Sequence, residues 1–279
     1  MEPESAVERL RALTPGRHYG GSPDSDCWVM VGRDLTDITG WSIVPPAASL
    51  TFVWDEGACL LFYDGGSLHM GPGDWMWIDS GFAHSGVNVP GSNFLTVFIS
   101  DKLVAEAGLD LAPIGAWAQP APKELAASLT TLAVLLLDRK PAKAFERPML
   151  AALLDYVGTV FEPRQIFVVD SAVQQARSIL DSDPLSKLPV SSVARLVDLS
   201  GSELSRRFKA RFRISPVMYR KQLRLALATR GLLQGDSVST AAYSAGFSDA
   251  AHLSRTFKQQ YGMNPSTWVQ RLTTAVTRR

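Results

Sequence analysis

Two arginines, Arg206 and Arg255, occupy the same place in an internal repeat near the C-terminal end of the chain. Residues 204–219 (LSRRFKARFRISPVMY) align without gaps on residues 253–268 (LSRTFKQQYGMNPSTW), 49 positions later. In each copy a Leu and a Phe four residues apart predict a buried helix face, and the Arg two positions after the Leu projects to the opposite side. An outward Arg can form two hydrogen bonds to one guanine. The repeat therefore predicts two equivalent surfaces for contact with nucleic acid.

A short helix and a tight turn are expected before each of these Arg-bearing helices. Ala194 and Ala242 lie in the preceding helices, and Ser200 and Ser248 end the turns, where each is expected to cap the helix that follows. Glu203 stands three residues after Ser200, which is the spacing of a capping box. A helix, a turn and a second helix with an outward Arg form a helix-turn-helix, whose second helix enters the major groove of DNA. A single Arg of this kind is usually only solvated, but its duplication favours DNA binding.

The distribution of charge supports the same interpretation. The 279 residues carry a formal net charge of +1, yet residues 1–169 have 11 Lys and Arg against 20 Asp and Glu, whereas residues 170–279 have 17 against 7. A basic half points to a nucleic-acid or membrane partner. No apolar run approaches the roughly 18 residues of a membrane helix, and the first residues lack the features of a signal peptide. We therefore predict a cytoplasmic protein without a membrane partner, whose basic half binds double-stranded DNA.

The basic half resembles the DNA-binding domain of AraC-type (AraC/XylS) transcription regulators over residues 170–272. The most specific part of the likeness is the second repeat, where residues at family-typical positions are Ala242, Gly246, Phe247, Phe257, Lys258, Gly262 and Pro265. In the first repeat Asp198 stands where the family usually has Gly, but Asp tolerates a left-handed backbone better than most residues do. The resemblance implies two helix-turn-helix units joined by a long helix, here residues 216–234.

The family pattern also implies which side chains meet DNA, by reading bases or by contacting phosphates. In the first unit these are Ser202, Ser205, Arg206 and Lys209. In the second unit they are Ala250, Ala251, Ser254, Arg255 and Lys258. The small alanines suggest that the second unit reads thymine methyl groups or DNA shape more than a hydrogen-bond pattern.

The acidic half has the sequence texture of an antiparallel sandwich or small barrel. Short apolar or β-branched runs alternate with Gly, Pro, Asp and Asn, which are turn residues. Six runs are predicted to be strands, at residues 28–31, 38–44, 50–54, 60–63, 74–78 and 94–99. Asp64-Gly65, between two of these runs, is a hairpin signal.

Residues 73–88 resemble the second sequence motif of the cupin barrel, G(x)5PxG(x)2H(x)3N, with Asp79 in place of the Pro. The resemblance implies a barrel that senses a small molecule. Cupin enzymes hold a metal through several His and a Glu, and only His84 could belong to such a set here, so we predict no metal site and no cofactor. The many aromatic residues suggest a pocket for a small, partly apolar effector, with Trp54, Trp77 and His84 as candidate ligand contacts. Core packing is the alternative for the tryptophans.

Two helices are predicted between the halves. Leu125, Leu129, Leu132 and Leu136 recur at the spacing of one helix face, and a second helix is expected to begin at Pro148 and reach Phe161 after a connection over residues 138–146. Their apolar surface exceeds what one face can bury, which suggests a subunit interface in a two-fold homodimer. Complete burial inside the monomer is the alternative. Residues 162–170 are expected to link this part to seven short helices in the basic half.

Taken together, these patterns predict a two-domain α+β protein, with an N-terminal cupin-like β-barrel and helical hairpin followed by an all-α double helix-turn-helix. The expected divisions are residues 1–118 for the effector domain, 119–165 for a dimerisation hairpin and 166–279 for the DNA-binding domain. The expected function is effector-controlled regulation of transcription and not catalysis, with RNA polymerase as a further candidate partner. Two alternatives stay open: a cupin-type enzyme fused to a DNA-binding tail, and a regulator that works without a ligand.

Overall fold

The N-terminal part of the chain folds into two antiparallel sheets, and the C-terminal part is helical. The computed structural model describes residues 3–21, 26–36, 41–63, 66–108, 116–138, 143–160 and 171–273. The strands are β1 Gly16–Gly21, β2 Cys27–Leu35, β3 Trp41–Ile43, β4 Ala48–Val53, β5 Cys59–Tyr63, β6 Gly66–Met70, β7 Asp74–Ile78, β8 His84–Asn88, β9 Ser92–Ile99 and β10 Ala116–Pro120. The helices are α1 Pro3–Arg11, α2 Asp101–Glu106, α3 Lys123–Asp138, α4 Lys143–Val160, α5 Ser171–Ser182, α6 Val190–Leu196, α7 Gly201–Phe212, α8 Pro216–Leu233, α9 Val238–Ser244, α10 Ala250–Tyr261 and α11 Pro265–Thr273.

The larger sheet has the strand order β1-β2-β9-β4-β7-β10, and the smaller has the order β3-β8-β5-β6. The six runs predicted as strands fall on β2, β3, β4, β5, β7 and β9, although residues 38–40 of the second run lie outside the described residues. The hairpin signal at residues 64–65 lies outside the described residues, although β5 and β6 on either side pair antiparallel. The expected division after residue 118 falls within β10, which pairs with β7, so the sheet continues to Pro120. The expected division after residue 165 lies outside the described residues.

Alternation along the strands of the larger sheet divides its side chains between two environments. On β4, Leu50 and Phe52 join the core that the sheet shares with α1, α3 and α4, whereas Thr51 faces the space between the two sheets. On β7, Trp77 joins the same core, and Met76 faces the space between the two sheets. This arrangement follows from the strand geometry, in which successive side chains point to opposite faces.

Helix α3 is buried on most of its circumference. Leu129 and Leu132 are fully buried in the core formed with the larger sheet, α1 and α4, and Leu136 is nearly so. The helix approaches β1 so closely that a Cβ added at Gly20 would lie 2.5 Å from the carbonyl oxygen of Leu136. The leucine face is therefore filled within the chain and is not available to a second subunit. Homodimerisation itself stays a prediction.

Helix α4 begins earlier than the sequence predicts. It begins at Lys143, so Pro148 lies inside the helix and the predicted start at this proline is wrong. Residues 139–142 of the expected connection, and Phe161, lie outside the described residues. No helix in the described part of the chain is both long and apolar enough to span a bilayer.

The seven helices expected in the basic half are α5 to α11, and the repeat places α6-α7 and α9-α10 as its two units. Asp198 adopts φ of 56° and Gly246 adopts φ of 73°, so both turns use the left-handed conformation that the sequence predicts. Ser200 Oγ accepts from the Glu203 N–H at 3.1 Å and caps α7, as expected. The predicted cap at Ser248 is wrong, because the residue that caps α10 is Asp249, which lies 49 positions after Ser200 and thus in register with the repeat.

The second helix-turn-helix unit packs against the larger sheet through aromatic side chains. Trp268 of α11 lies edge-on to Trp28 of β2, with ring centroids 5.3 Å apart, and Trp28 stacks on Phe98 at 3.7 Å. The Tyr19 hydroxyl donates to the Tyr261 carbonyl at 2.8 Å. These residues belong to one buried cluster that extends from the sheet into the helical domain.

Candidate nucleic-acid interface

Helix α7 presents a polar surface that its buried side chains fix in place. Leu204 and Phe208 are fully buried in the core of the first unit. Ser202, Arg206 and Lys209 consequently lie on the exposed side, and the Arg206 side chain is 71% exposed. The outward face expected from the helical period is therefore present in the first unit.

Helix α10 presents an equivalent surface in the second unit. Leu253 and Phe257 are fully buried, and Ala251, Arg255 and Lys258 are exposed. The margins of the two surfaces are formed by half-buried residues, namely Ser205, Ala250 and Ser254. The structure thus places the nine residues expected to meet DNA at or beside the outer faces of α7 and α10.

Glu203 is a feature of the first surface to which the sequence assigned only a capping role. Its Oε1 accepts from Arg206 Nη2 at 3.2 Å and from Arg207 Nε at 2.8 Å. The two guanidinium groups hold the pKa of the Glu203 carboxyl below its usual range. Spacings of three and four residues on a helix favour such pairs, so the sequence held a signal for them. In the free protein, Arg206 is therefore tethered to its own helix.

Replacing Glu203 with Gln is expected to strengthen the binding of random-sequence duplex DNA by a few-fold. The change removes a negative charge from a surface that would face phosphates and releases Arg206 from its ion pair. Fluorescence anisotropy with a labelled random duplex measures the effect. Glu124→Gln, at an exposed glutamate in the first turn of α3, is the matched control and should leave affinity unchanged. Unchanged or weaker binding by Glu203→Gln would place this carboxylate away from DNA.

Some of the basic charge in the helical domain has a structural use. Arg224 of α8 donates to the carbonyls of Pro184 at 2.8 Å and Ser186 at 3.1 Å. Arg220, one turn earlier, donates to the carbonyl of Leu188 at 2.5 Å. These two arginines fasten the segment between α5 and α6 to α8 and keep their charge, so fewer basic side chains are free for direct contact with phosphates than the charge excess of the domain suggests.

Arg230, at the end of α8, joins the helical domain to the N-terminal part. It donates to the Pro46 carbonyl and to Ser80 Oγ, both at 2.6 Å. It also forms an ion pair with Asp101 at 3.4 Å. The helix that connects the two units is thus attached to the sheet domain by one side chain with three partners.

A cavity of about 300 Å³ lies between the two sheets and is bordered by α8 and α10. Its apolar lining includes Met30, Leu61, Met70, Met76, Ile78 and Phe98. The helical domain contributes Met218, Lys221, Gln222, Thr256 and Gln260. Both domains therefore contact whatever occupies this space.

Only one of the three side chains expected to contact a ligand lines this cavity. His84 does so, whereas Trp54 and Trp77 lie on the opposite face of the larger sheet, in the core shared with the helices. Trp41, one of the aromatic residues of the acidic half but not one of the three candidate contacts, lines the cavity and lies edge-on to His84, with ring centroids 5.5 Å apart. Its indole N–H donates to Asn88 Oδ1 at 3.3 Å.

The polar groups inside the cavity are mostly uncharged. Burial lowers the pKa of His84 to about 4, so the imidazole is neutral at pH 7. Thr51 and Thr96 share a hydrogen bond between their hydroxyls at 2.9 Å. Arg17 and Lys221 are the charged residues in the lining, and Arg17 donates to the Gln260 carbonyl at 3.3 Å. Among the described residues, no three His, Cys, Asp or Glu side chains are grouped closely enough to hold a metal ion.

Comparison with known proteins relates the helical part of the chain to a domain family and nearly the whole chain to a known fold. Residues 193–271 match the Helix-turn-helix domain family. A putative AraC-like transcription regulator of Streptomyces antibioticus is 33% identical over 99 residues, which is 35% of this chain and 33% of that protein. The chain thus spans about a third of the length of the curated relatives it matches.

Two crystal structures of ToxT from Vibrio cholerae share the fold of nearly the whole chain. An apo variant is 13% identical with a TM-score of 0.52, and the alignment covers 90% of this chain and 100% of that chain. Wild-type ToxT bound to an unsaturated fatty acid is 12% identical with a TM-score of 0.52, covering 90% and 97% respectively. The expected two-domain α+β fold is confirmed by this likeness. The C-terminal part of the chain therefore contains a helix-turn-helix domain, and it is similar in sequence to AraC-like transcription regulators.

Proposed function

We propose that this protein is a sequence-specific DNA-binding regulator of transcription whose placement on DNA is set by a small molecule in the cavity. The observation that carries the proposal is the duplicated surface on α7 and α10, each with an exposed Arg and Lys above a buried Leu and Phe. Two such helices in one chain can occupy successive segments of the major groove.

The two surfaces differ in how they would read sequence. Arg206 is flanked by the hydroxyls of Ser202 and Ser205, so the first unit offers several hydrogen-bonding groups to base edges. Arg255 is flanked by Ser254, the counterpart of Ser205, but Ala251 offers only a methyl group where the first unit has Ser202, and Ala250 adds a second methyl group. We therefore assign most hydrogen-bond readout to the first unit, and contact with thymine methyls or DNA shape to the second.

Binding-site selection on the wild type and three single variants tests these assignments. Arg206→Ala is expected to lose about 1–3 kcal/mol for the preferred site and to flatten preference at one or two positions, because a bidentate contact to guanine is lost. Lys209→Ala should weaken all sequences about equally, since a phosphate contact carries no base information. Arg255→Ala should lower the affinity for DNA and change the base preference less than Arg206→Ala does.

The opposite pattern would contradict the assignment. If Lys209→Ala reshapes the selected sequence and Arg206→Ala leaves it intact, the DNA-facing side of α7 is rotated from the one proposed. All three side chains are exposed, so their removal should leave the core unchanged. Circular dichroism checks that each variant folds like the wild type.

Control by an effector is supported by the position of the cavity. Side chains from both sheets and from α8 and α10 line it, so an occupant contacts both domains at once. A molecule that binds one relative placement of the domains better than another shifts the protein toward that placement. The fold neighbour ToxT is known with an unsaturated fatty acid bound.

Pairing of two subunits and contact with RNA polymerase are further parts of the proposal. A chain with two helix-turn-helix units can bind DNA as a monomer. Two-fold pairing of two such chains would double the DNA site that they contact. Since the leucine face of α3 is filled within the chain, a second subunit would use another surface.

A further inference from the structure

Arg17 and Lys221 are two cations on the cavity wall that the protein does not neutralise. Arg17 lies on β1 of the sheet domain and Lys221 on α8 of the helical domain, and both are half-buried. In the part of the lining that the structure describes there is no Asp or Glu. Neither cation forms an ion pair with a described residue. Since charges withdrawn from water are usually paired, the occupant is expected to supply the missing anion.

Other arginines that contact the sheet domain do have acidic partners. Arg230 of α8 pairs with Asp101 at 3.4 Å, and Arg11 pairs with Asp55 at 2.9 Å. Residues 1–169 contain 20 Asp and Glu, so acidic side chains are plentiful in the half of the chain that builds most of the cavity. Their absence from the described lining leaves the positive charge of this wall uncompensated.

The other titratable groups of the lining do not change this balance. Burial lowers the pKa of His84 to about 4, so the imidazole is neutral at pH 7. Burial also raises the pKa of the Cys59 thiol and of the Tyr261 phenol to about 12, so neither carries a negative charge. Arg17 and Lys221 are therefore the charges that the described lining presents to an occupant at neutral pH.

The Arg17 guanidinium is positioned by the protein and keeps donors for a ligand. Its Nη1 donates to the Gln260 carbonyl of α10 at 3.3 Å. A guanidinium has five N–H groups in a planar fork that matches a carboxylate, so this bond leaves donors unused. Lys221 adds a point charge from the other domain. An anion bound here neutralises charge from both domains, which links occupancy to their relative placement.

The size and lining of the cavity define the rest of the molecule. An apolar cavity of roughly 150 Å³ holds one benzene ring, so a cavity of about 300 Å³ has room for two fused rings or an equivalent aliphatic body. Methionine, leucine, isoleucine and phenylalanine side chains form much of the wall and favour an apolar body. A second anionic group would be buried among these side chains without a partner, at a high desolvation cost.

We propose that the cavity takes a monocarboxylate with an apolar body of about two fused rings or similar volume, and that Arg17 and Lys221 bind its carboxylate. The inference deepens the proposed effector control and rests on it. The two parts of such a molecule match the two parts of the lining, the cations and the apolar wall.

Calorimetric titration of the full chain with three probes of matched shape tests the chemical class. The probes are 2-naphthoic acid, which is ionised at neutral pH, 2-naphthamide, which is uncharged, and 2-naphthylmethylamine, which is protonated. We expect the acid to bind at least about tenfold more tightly than the amide, because hydrogen bonds between charged groups are stronger than neutral ones. The amine should bind most weakly, since it faces two like charges.

Single variants locate the carboxylate. Arg17→Gln and Lys221→Gln should each weaken binding of the acid by about fivefold or more and leave that of the amide within about twofold. Lys221→Arg keeps the charge and should retain the preference for the acid. Lys123→Gln removes an exposed lysine at the start of α3, outside the cavity lining, and should change neither affinity. Circular dichroism reports whether each variant folds, and the comparison of probes on the wild type stands without them.

Four results would overturn the inference. They are equal affinity for the acid and the amide, tightest binding of the amine, a preference for the acid that survives both Arg17→Gln and Lys221→Gln, and no binding of any probe up to its solubility limit. Anisotropy with duplex DNA, run on the same preparation, separates this failure from failure of the proposed function. A chain that binds DNA but none of the probes has the wrong ligand class, whereas a chain that binds no DNA undermines the regulator itself.

Discussion

Affinity for duplex DNA is expected to fall by about 10³-fold or more between roughly 50 and 200 mM salt if the chain makes six or more phosphate contacts. The exposed Lys209 and Lys258, with flanking hydroxyls and helix ends, provide phosphate contacts on two helices, and Arg206 and Arg255 add positive charge at the same surfaces. Each contact releases condensed counterions from the duplex, so added salt opposes binding steeply. Anisotropy titrations of the full chain at several salt concentrations give the slope.

Variants that remove one lysine each show how much a single charge contributes to the salt dependence of DNA affinity. Lys209→Ala and Lys258→Ala should each reduce its magnitude by about one, because each removes one phosphate contact. Lys123→Ala, at an exposed lysine that begins α3 on the sheet domain, should leave the slope unchanged. The proposed surface would be ruled out if the affinity did not respond to salt. It would also be ruled out if Lys123→Ala reduced the slope as much as Lys209→Ala and Lys258→Ala do.

Replacing Leu132 with Asp is expected to unfold the N-terminal domain. Leu132 is fully buried in the core between the larger sheet, α1 and α4. Truncating such a leucine costs about 2–5 kcal/mol, and placing a carboxylate there adds the penalty of a buried polar group, against a total stability of about 5–15 kcal/mol. Circular dichroism melting, together with sedimentation, measures the outcome.

The control for this substitution is Ala152→Asp, on the exposed side of α4, which should melt like the wild type. A Leu132→Asp protein that stays folded and turns from dimer to monomer would show that the leucine face joins subunits after all. A folded protein with an unchanged association state would contradict the burial of α3.

The helical domain could be predicted from sequence because its determinants are local. The spacing of Leu204 and Phe208 fixes which side of α7 is buried, and the same spacing recurs in α10. Asp198 and Ser200 act within a few residues of their own positions, as a turn and a cap. Such short-range patterns can be recognised in the sequence without knowing which elements pack against one another in the fold.

The ligand site could not be predicted in the same way, because it depends on which face of a sheet other elements cover. Alternation shows that Trp77 and Met76 point to opposite sides of β7, but not that α1, α3 and α4 cover the side of the tryptophan. Gln222 lies on a helix whose pattern is apolar, and its cavity-facing position follows from the packing of α8 on the sheet domain. Glycine-rich β1 is a strand because it pairs with β2.

Because α8 and α10 form part of the cavity wall, the molecule is expected to obey a reciprocity between its two ligands. Whatever factor an occupant applies to the affinity for DNA, DNA must apply to the affinity for that occupant, since the two binding events share one thermodynamic cycle. An effector that the free chain binds weakly would be bound more tightly by the complex with DNA if it favours that complex. A screen against the free protein would overlook such a molecule, and a screen against the operator complex would find it.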